Sequence, residues 1–251
     1  MSMVDLEAVL ADYRRDGFAR LGRILDDGEL MALRARADAV MLGEIVYPGL
    51  FFQHDSPSGD YDDLELGKGF IGPSLAYRKI EKLEVDPLFR ALIEHPRLEP
   101  VVRAWIGPEA SLYRAIFMNK AAHGGTVLPY HQDGGTFWGV DRAPDLQIWT
   151  ALDDAPVEAG CVEVVPGSHA RGLVTPLGGV VPADRVGDAV AVPLPAVAGE
   201  SLLIHNHLWH RSGVNRTDSP RRAFSVCYMP ASTRCLRKKR APRNFVRVFT
   251  R

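Results

Sequence analysis

Within His131-Gln132-Asp133 an imidazole and a carboxylate stand two residues apart. Side chains on an extended strand return to the same face every second residue, so this spacing aims both at one point. Two nearby metal donors need only one remote histidine to complete a 2-His-1-carboxylate facial set. That set occupies one face of an octahedral metal and leaves the other open to reactants, and it is the ligand set of non-haem Fe(II) oxygenases. Three histidines are available downstream, His205, His207 and His210, all following the apolar run Ser201-Leu202-Leu203-Ile204. Spacing alone does not choose among them.

The elements that must carry these residues change character along the chain. Apolar residues at helical spacing predict helices over Asp5–Tyr13 and Glu29–Met41, the second started by Asp26-Asp27, and two more over Pro87–Glu94 and Leu98–Ile106. Gly17–Leu21 alternates as a short strand does. Residues 44–76 hold Pro, Gly, Asp and Ser without a sustained period and read as one long loop, suited to covering a substrate. From residue 109 the pattern becomes a series of short strands separated by Gly- and Pro-rich turns: Ser111–Asn119, Val127–Gln132, Leu146–Leu152, Val162–Val165, Ala189–Val192, Ser201–His205 and Ala223–Met229. The expected fold is mainly β with flanking helices: a double-sheet jelly roll spanning 109–230, with the helices of 1–108 packed on one sheet and a C-terminal tail from 231. One domain is expected across residues 1–251.

Composition narrows the function classes. The chain has 251 residues, 46% hydrophobic and 24% charged, with a net charge of −1, which is the make-up of a globular protein with a sizeable core. Residues 234–251 nevertheless carry eight basic side chains and no acid, leaving 22 basic against 31 acidic elsewhere. The basic tail suits a solvated surface or a patch for an anionic group; the acidic remainder and the lack of a recognition motif argue against nucleic acid. The odd cysteines Cys161, Cys227 and Cys235 share no metal-type spacing and do not suggest a secreted disulfide framework. With no signal-peptide pattern at the start and no apolar run of about 20 residues, a cytoplasmic, membrane-free protein is expected.

His210-Arg211-Ser212-Gly213-Val214-Asn215, followed by Arg221, resembles the distal motif of the phytanoyl-CoA dioxygenase family. The resemblance also takes in His131-Gln132-Asp133, the strand at Trp149-Thr150-Ala151-Leu152, the segment Gly160 to His169, Gly199-Glu200, and the opening Asp16-Gly17-Phe18. It implies a double-stranded β-helix holding Fe(II) through His131, Asp133 and His210, with 2-oxoglutarate and O2 as co-substrates. Arg221 is then expected to bind the distal carboxylate of 2-oxoglutarate, since a guanidinium donates two parallel hydrogen bonds and stays charged. Ser212 is expected beside it, with Trp149, Gln132 and Lys79 lining the same pocket. His205 and His207 are left to structural or supporting roles.

The resemblance further implies hydroxylation of an aliphatic C–H bond in a small-molecule or natural-product substrate, with release of succinate and CO2. The carboxylate at Asp133 argues against halogenation, which needs that position vacated. Phe51, Phe52, Phe137 and Trp138 are candidates for an apolar wall beside the iron. An acyl-CoA hydroxylase is the alternative of the same chemistry. A cupin-type hydrolase or isomerase would have no use for Arg221 and Ser212, and a noncatalytic binding protein would have no reason to keep an open-faced iron site.

Overall fold

A computed structural model describes residues 3–65, 69–238 and 243–250. The chain begins with α1 (Met3–Asp16), β1 (Phe18–Arg23) and α2 (Asp27–Met41), followed by β2 (Phe51–His54) and β3 (Tyr77–Glu81). α3 (Pro87–Ile93) and α4 (Glu99–Ile106) precede the long β4 (Ala110–Lys120), then β5 (Leu128–Gln132), β6 (Leu146–Ala151), β7 (Val162–Val164) and β8 (Gly179–Val180). A short α5 (Ala183–Val186) leads to β9 (Val192–Leu194), β10 (Glu200–His205), β11 (His210–Ser212), β12 (Arg221–Pro230) and β13 (Val246–Val248).

Local chemistry explains where the helices start. Asp26 accepts from the Glu29 amide at 2.8 Å while the Glu29 side chain accepts from the Asp26 amide at 2.9 Å, a reciprocal cap on α2. α3 opens with Pro87 behind Asp86, whose buried carboxylate accepts from the amides of Leu88 and Phe89 and also from Tyr47 and Arg36.

The strands form two antiparallel sheets. The larger runs β1-β10-β6-β12-β4-β3-β2, with β13 also on β4; the smaller runs β8-β5-β11-β7-β9. Strand alternation divides the large sheet between two cores. Leu146 and Ile148 of β6, Leu203 of β10, and Phe224 and Val226 of β12 face the helices with Leu33, Phe89 and Val101. Their neighbours Trp149, Ala151, Leu202, Ile204 and Ala223 face the small sheet and pack with Val162, Val164 and Leu208. The expected jelly roll with helices on one sheet is the fold found.

Several boundaries differ from the sequence expectation. The loop over 44–76 contains β2, paired with β3 from Phe51↔Glu81 to His54↔Tyr77, because Phe52 buries against Tyr77 and Phe70. β1 falls on the short strand expected at Gly17–Leu21, whereas β2 and β3 make the segment 1–108 less helical than expected. The strand expected at Ala189–Val192 begins at Val192 and ends at Leu194, set by its pairing with β7. His210 starts a strand rather than sitting in a turn; three residues give too short a period to see in sequence. The C-terminal tail is in part structural, since Val246–Val248 pairs with Ala110–Leu112 of β4; residues 239–242 and 251 lie outside the described residues.

Candidate active site

The small sheet brings the two halves of the sequence motif together. β5 and β11 are hydrogen-bonded neighbours in which His131 and His210 stand directly opposite, with ring centroids 4.0 Å apart. Asp133 lies one residue past β5, and its amide donates to Asn206 O at 2.7 Å, fixing the strand end to the turn that leads into β11. His210 Nε2 is 3.9 Å from Asp133 Oδ2. His131 Nδ1 donates to Pro129 O and His210 Nδ1 to Leu208 O, each at 2.8 Å. Those bonds assign the proton to Nδ1 and leave both Nε2 lone pairs available to a metal.

The electrostatics favour the ligating protonation states. Burial, aided by the neighbouring His210, pushes His131 down to about 4, so the imidazole is neutral. Burial by itself raises the Asp133 pKa, but the Arg114 guanidinium, His210 and His131 together carry it well below the usual carboxylate range. A neutral His131 and an ionised Asp133, with His210 Nε2 3.9 Å from that carboxylate, are a donor set suited to a divalent cation. Donors about 2.1 Å from a metal at right angles lie about 3 Å apart; the His210–Asp133 separation of 3.9 Å therefore leaves about 1 Å to close. Accordingly, no three His, Cys, Asp or Glu side chains among the described residues already stand in a closed metal cage.

The large sheet supplies the other wall of the same cavity, about 610 Å³, which also takes in His131, Asp133 and His210. Arg221 enters it at the start of β12. It is 3% exposed, donates from Nη2 to Gly160 O at 2.9 Å, and its buried Nε has no partner. Its guanidinium lies 5.8 Å above the Trp149 ring. Burial lowers Arg221 to about 10, with Arg78 contributing in the same direction. Lys120, directly opposite on β4, is pushed down to about 6 by burial and by Arg221. Arg222 points the other way and pairs with Asp153 and Asp38. Of these two neighbours it is thus Arg221 that faces the cavity, with no carboxylate partner among the described residues.

Ser212 and Trp149 also line the cavity. Lys79 lines it too, although its ammonium is engaged by Glu81 at 2.5 Å, two residues along the same face of β3. Gln132 is a correction. Lying between His131 and Asp133, it points to the opposite face, where its amide donates to Gly172 O and His207 O and accepts from Val174 N. It braces the β5 end and does not reach the cavity. Of the four aromatics considered for a wall, Phe137 lines the cavity and Trp138 packs on Tyr113. Phe52 lies in the helix-side core and Phe51 lines a separate cavity.

Sequence reasoning missed Arg78, Arg114, Lys120 and Gln147, all in the cavity wall, together with Tyr61 and Leu64 from the 44–76 segment at its mouth. No short motif marks these residues; only the pairing of β4 with β3 and β12 brings the first three to one side. His205 and His207 stay outside the cavity: the His205 ring lies 4.9 Å from that of His169, tilted against it, and meets His207 edge-on at 5.2 Å.

An antiparallel double sheet with a His-x-Asp strand end, and with a distal histidine and a buried arginine in one cavity, has the fold of the Fe(II)/2-oxoglutarate oxygenase jelly rolls. The chain belongs to the phytanoyl-CoA dioxygenase (PhyH) family, whose model matches residues 13–223. Phytanoyl-CoA dioxygenase domain-containing protein 1 of Mus musculus is 32% identical over 182 residues, covering 67% of this chain and 62% of that protein. The chain thus spans about three fifths of that relative. The peroxisomal phytanoyl-CoA dioxygenase of Rattus norvegicus is 26% identical over 233 residues, covering 86% and 66%. The epimerase SnoN from nogalamycin biosynthesis, solved with Fe3+, alpha ketoglutarate and nogalamycin RO, superposes with a TM-score of 0.71 at 25% identity, covering 94% of this chain and 88% of SnoN. The carbocyclase SnoK shares the fold, with a TM-score of 0.76 at 21% identity over 99% and 96% of the two chains.

Proposed function

We propose that this protein is a non-haem Fe(II)- and 2-oxoglutarate-dependent dioxygenase that hydroxylates an aliphatic C–H bond of a small-molecule or natural-product substrate, releasing succinate and CO2. The observation that carries the reading is the coexistence, in one cavity, of His131, Asp133 and His210 with Arg221, a buried guanidinium that has no carboxylate partner among the described residues. A cation kept out of water without a counter-ion is costly, and a bound carboxylate offsets that cost. A hydrolase using the same three metal donors gives Arg221 no such role.

His131, Asp133 and His210 would hold the iron, and Arg221 with Ser212 would take the distal carboxylate of 2-oxoglutarate. When bound, the iron and 2-oxoglutarate together activate O2 for oxidation of an unactivated C–H bond. The chain's own contribution is positioning and exclusion of water. Trp149 supports Arg221 from beneath. Tyr61, Leu64, Leu128 and Phe137 add apolar surface to the lining of the cavity, while Arg211 and Asp62 offer polar contacts. Such a lining suits a compact, partly polar organic molecule. A fatty acyl-CoA is the second reading, favoured by the likeness to the rat phytanoyl-CoA dioxygenase.

The test is anaerobic. Fe(II) and then 2-oxoglutarate should produce the weak visible charge-transfer band of a chelated keto acid in wild type, a weaker band at the same keto-acid concentration in Arg221→Ala, and none in His210→Ala. Absence of the band in wild type under all conditions sinks the assignment. With the band in hand, succinate release compared between acyl-CoA and small polycyclic substrates separates the two substrate readings.

A further inference from the structure

Arg114 lies in the middle of β4, nineteen positions before Asp133, and belongs to no motif. Its Nη2 donates to Asp133 Oδ1 at 2.8 Å. The guanidinium is held from behind, 4.6 Å over the ring of Trp138. Trp138 stacks on Tyr113 at 4.3 Å with the planes 2° apart, and the Tyr113 hydroxyl donates to Trp138 O at 3.2 Å. Arg243 lies 5.0 Å from the Tyr113 ring and donates to Tyr113 O. A chain of ring contacts from the C-terminal segment to the carboxylate therefore restrains where the Arg114 fork can sit.

The consequence falls on the two oxygens of Asp133. Oδ1 is occupied by Arg114, while Oδ2 is on the histidine side, 3.9 Å from His210 Nε2. A carboxylate free of such a partner can chelate a cation through both oxygens. With three protein donors on a bound iron, each extra carboxylate oxygen would take a position that the co-substrates need.

We infer that Arg114 is a positioning residue that restricts Asp133 to donation through Oδ2 alone, and so preserves a coordination position for 2-oxoglutarate. The inference rests on the Fe(II)/2-oxoglutarate reading of the site. It separates Arg114 from a residue that merely stabilises the fold. A structural loss weakens metal binding, keto-acid binding and melting temperature together. Loss of the restriction leaves the metal bound, since Asp133 gains a second donor oxygen and sheds a competing cation, but weakens 2-oxoglutarate selectively.

Arg114→Gln and Arg114→Lys in the full chain distinguish these outcomes. Three quantities are measured without oxygen: the Co(II) dissociation constant in the absence of keto acid, the 2-oxoglutarate dissociation constant of the Fe(II)-loaded protein from its visible band, and the melting temperature of the apoprotein. Arg114→Gln is expected to hold Co(II) within about threefold of wild type yet bind 2-oxoglutarate about tenfold more weakly, the lower end of what outer partners of metal ligands contribute. Arg114→Lys should recover part of the loss, because the ammonium restores the charge and one hydrogen bond without the planar fork. Unchanged 2-oxoglutarate binding in Arg114→Gln, or parallel loss of Co(II) and 2-oxoglutarate, overturns the inference. A wild-type protein that binds Co(II) but shows no keto-acid band overturns the functional reading itself, and the role of Arg114 with it.

Discussion

β6 in the large sheet is buried at every position and β12 at eight of ten, whereas in the small sheet β5 alternates half-buried and buried residues and β7 and β11 are three residues long. The helices cover the outer face of the large sheet. The small sheet instead packs its inner face on the large one and is backed by the minor cluster of Tyr130, Val181 and Trp209. The proposed metal donors sit on the thin sheet and Arg221, the proposed carboxylate anchor, on the thick one. Stability and chemistry are thereby separated: the thick sheet can tolerate a buried arginine without a carboxylate partner among the described residues because its strands are fixed by packing on both faces. The donors on the thin sheet are instead fixed locally, by hydrogen bonds from Nδ1 and by the Asp133 amide.

That contrast can be broken most strongly from the helix side. Phe224, fully buried and 4.9 Å from the Phe89 ring, belongs to the core behind the thick sheet; Phe224→Ala should cost about 3–5 kcal/mol in chemical denaturation. A loss below about 1 kcal/mol would mean that the helical layer is not what holds β12. Arg221→Met should do the reverse on the same strand. Removing a buried cation that lacks a carboxylate partner should leave the urea midpoint of the apoprotein equal or higher, while 2-oxoglutarate affinity falls by about 2 kcal/mol or more, roughly 30-fold. A clear drop in apoprotein stability would show that Arg221 is structural.

A pH experiment probes the join between the sheets. His205 ends β10 and is pushed down to about 3 by burial, with His207 and His169 adding to the effect. A histidine whose folded pKa lies below its ordinary 6.5 favours the fold while neutral; that contribution is complete above about pH 6.5 and is lost progressively as pH falls toward 3. Between pH 6.5 and 5, where carboxylates stay ionised, His205→Gln should therefore lose less stability than wild type does. Identical slopes would remove His205 from the account. The smallest effect is expected from Arg211→Gln, whose side chain is 43% exposed and pairs with Glu163 across β11 and β7. Stability should change by less than about 0.5 kcal/mol, and any change in KM for substrate would be read as a contact at the cavity mouth.

Much of this site is legible before any coordinates. The two-residue spacing of His131 and Asp133 places them on one side of a strand, and that same rule puts Gln132 on the other, where its amide braces the turn rather than the cavity. Alternation likewise separates Arg221 from Arg222, although only the observed partners, Gly160 O for one and Asp153 and Asp38 for the other, show which faces the cavity. The 44–76 segment illustrates the limit from the other direction. Four residues of β2 carry no detectable period, and they become a strand through pairing with β3.

The sequence by itself determined the donor types, the helical-then-β order of elements and the family motifs, because these depend on residue identity and short periodicity. Which histidine stands opposite His131, and which cations share its cavity, was decided by the tertiary structure. Pairing of β5 with β11 and of β4 with β12 joins residues 79 and 101 positions apart, His131 with His210 and Lys120 with Arg221. Arg114 shows the same limit: what gives it a role is a 2.8 Å contact to Asp133, created by packing one sheet on the other. Long-range register is set by the burial of whole sheets, which no local window of sequence contains.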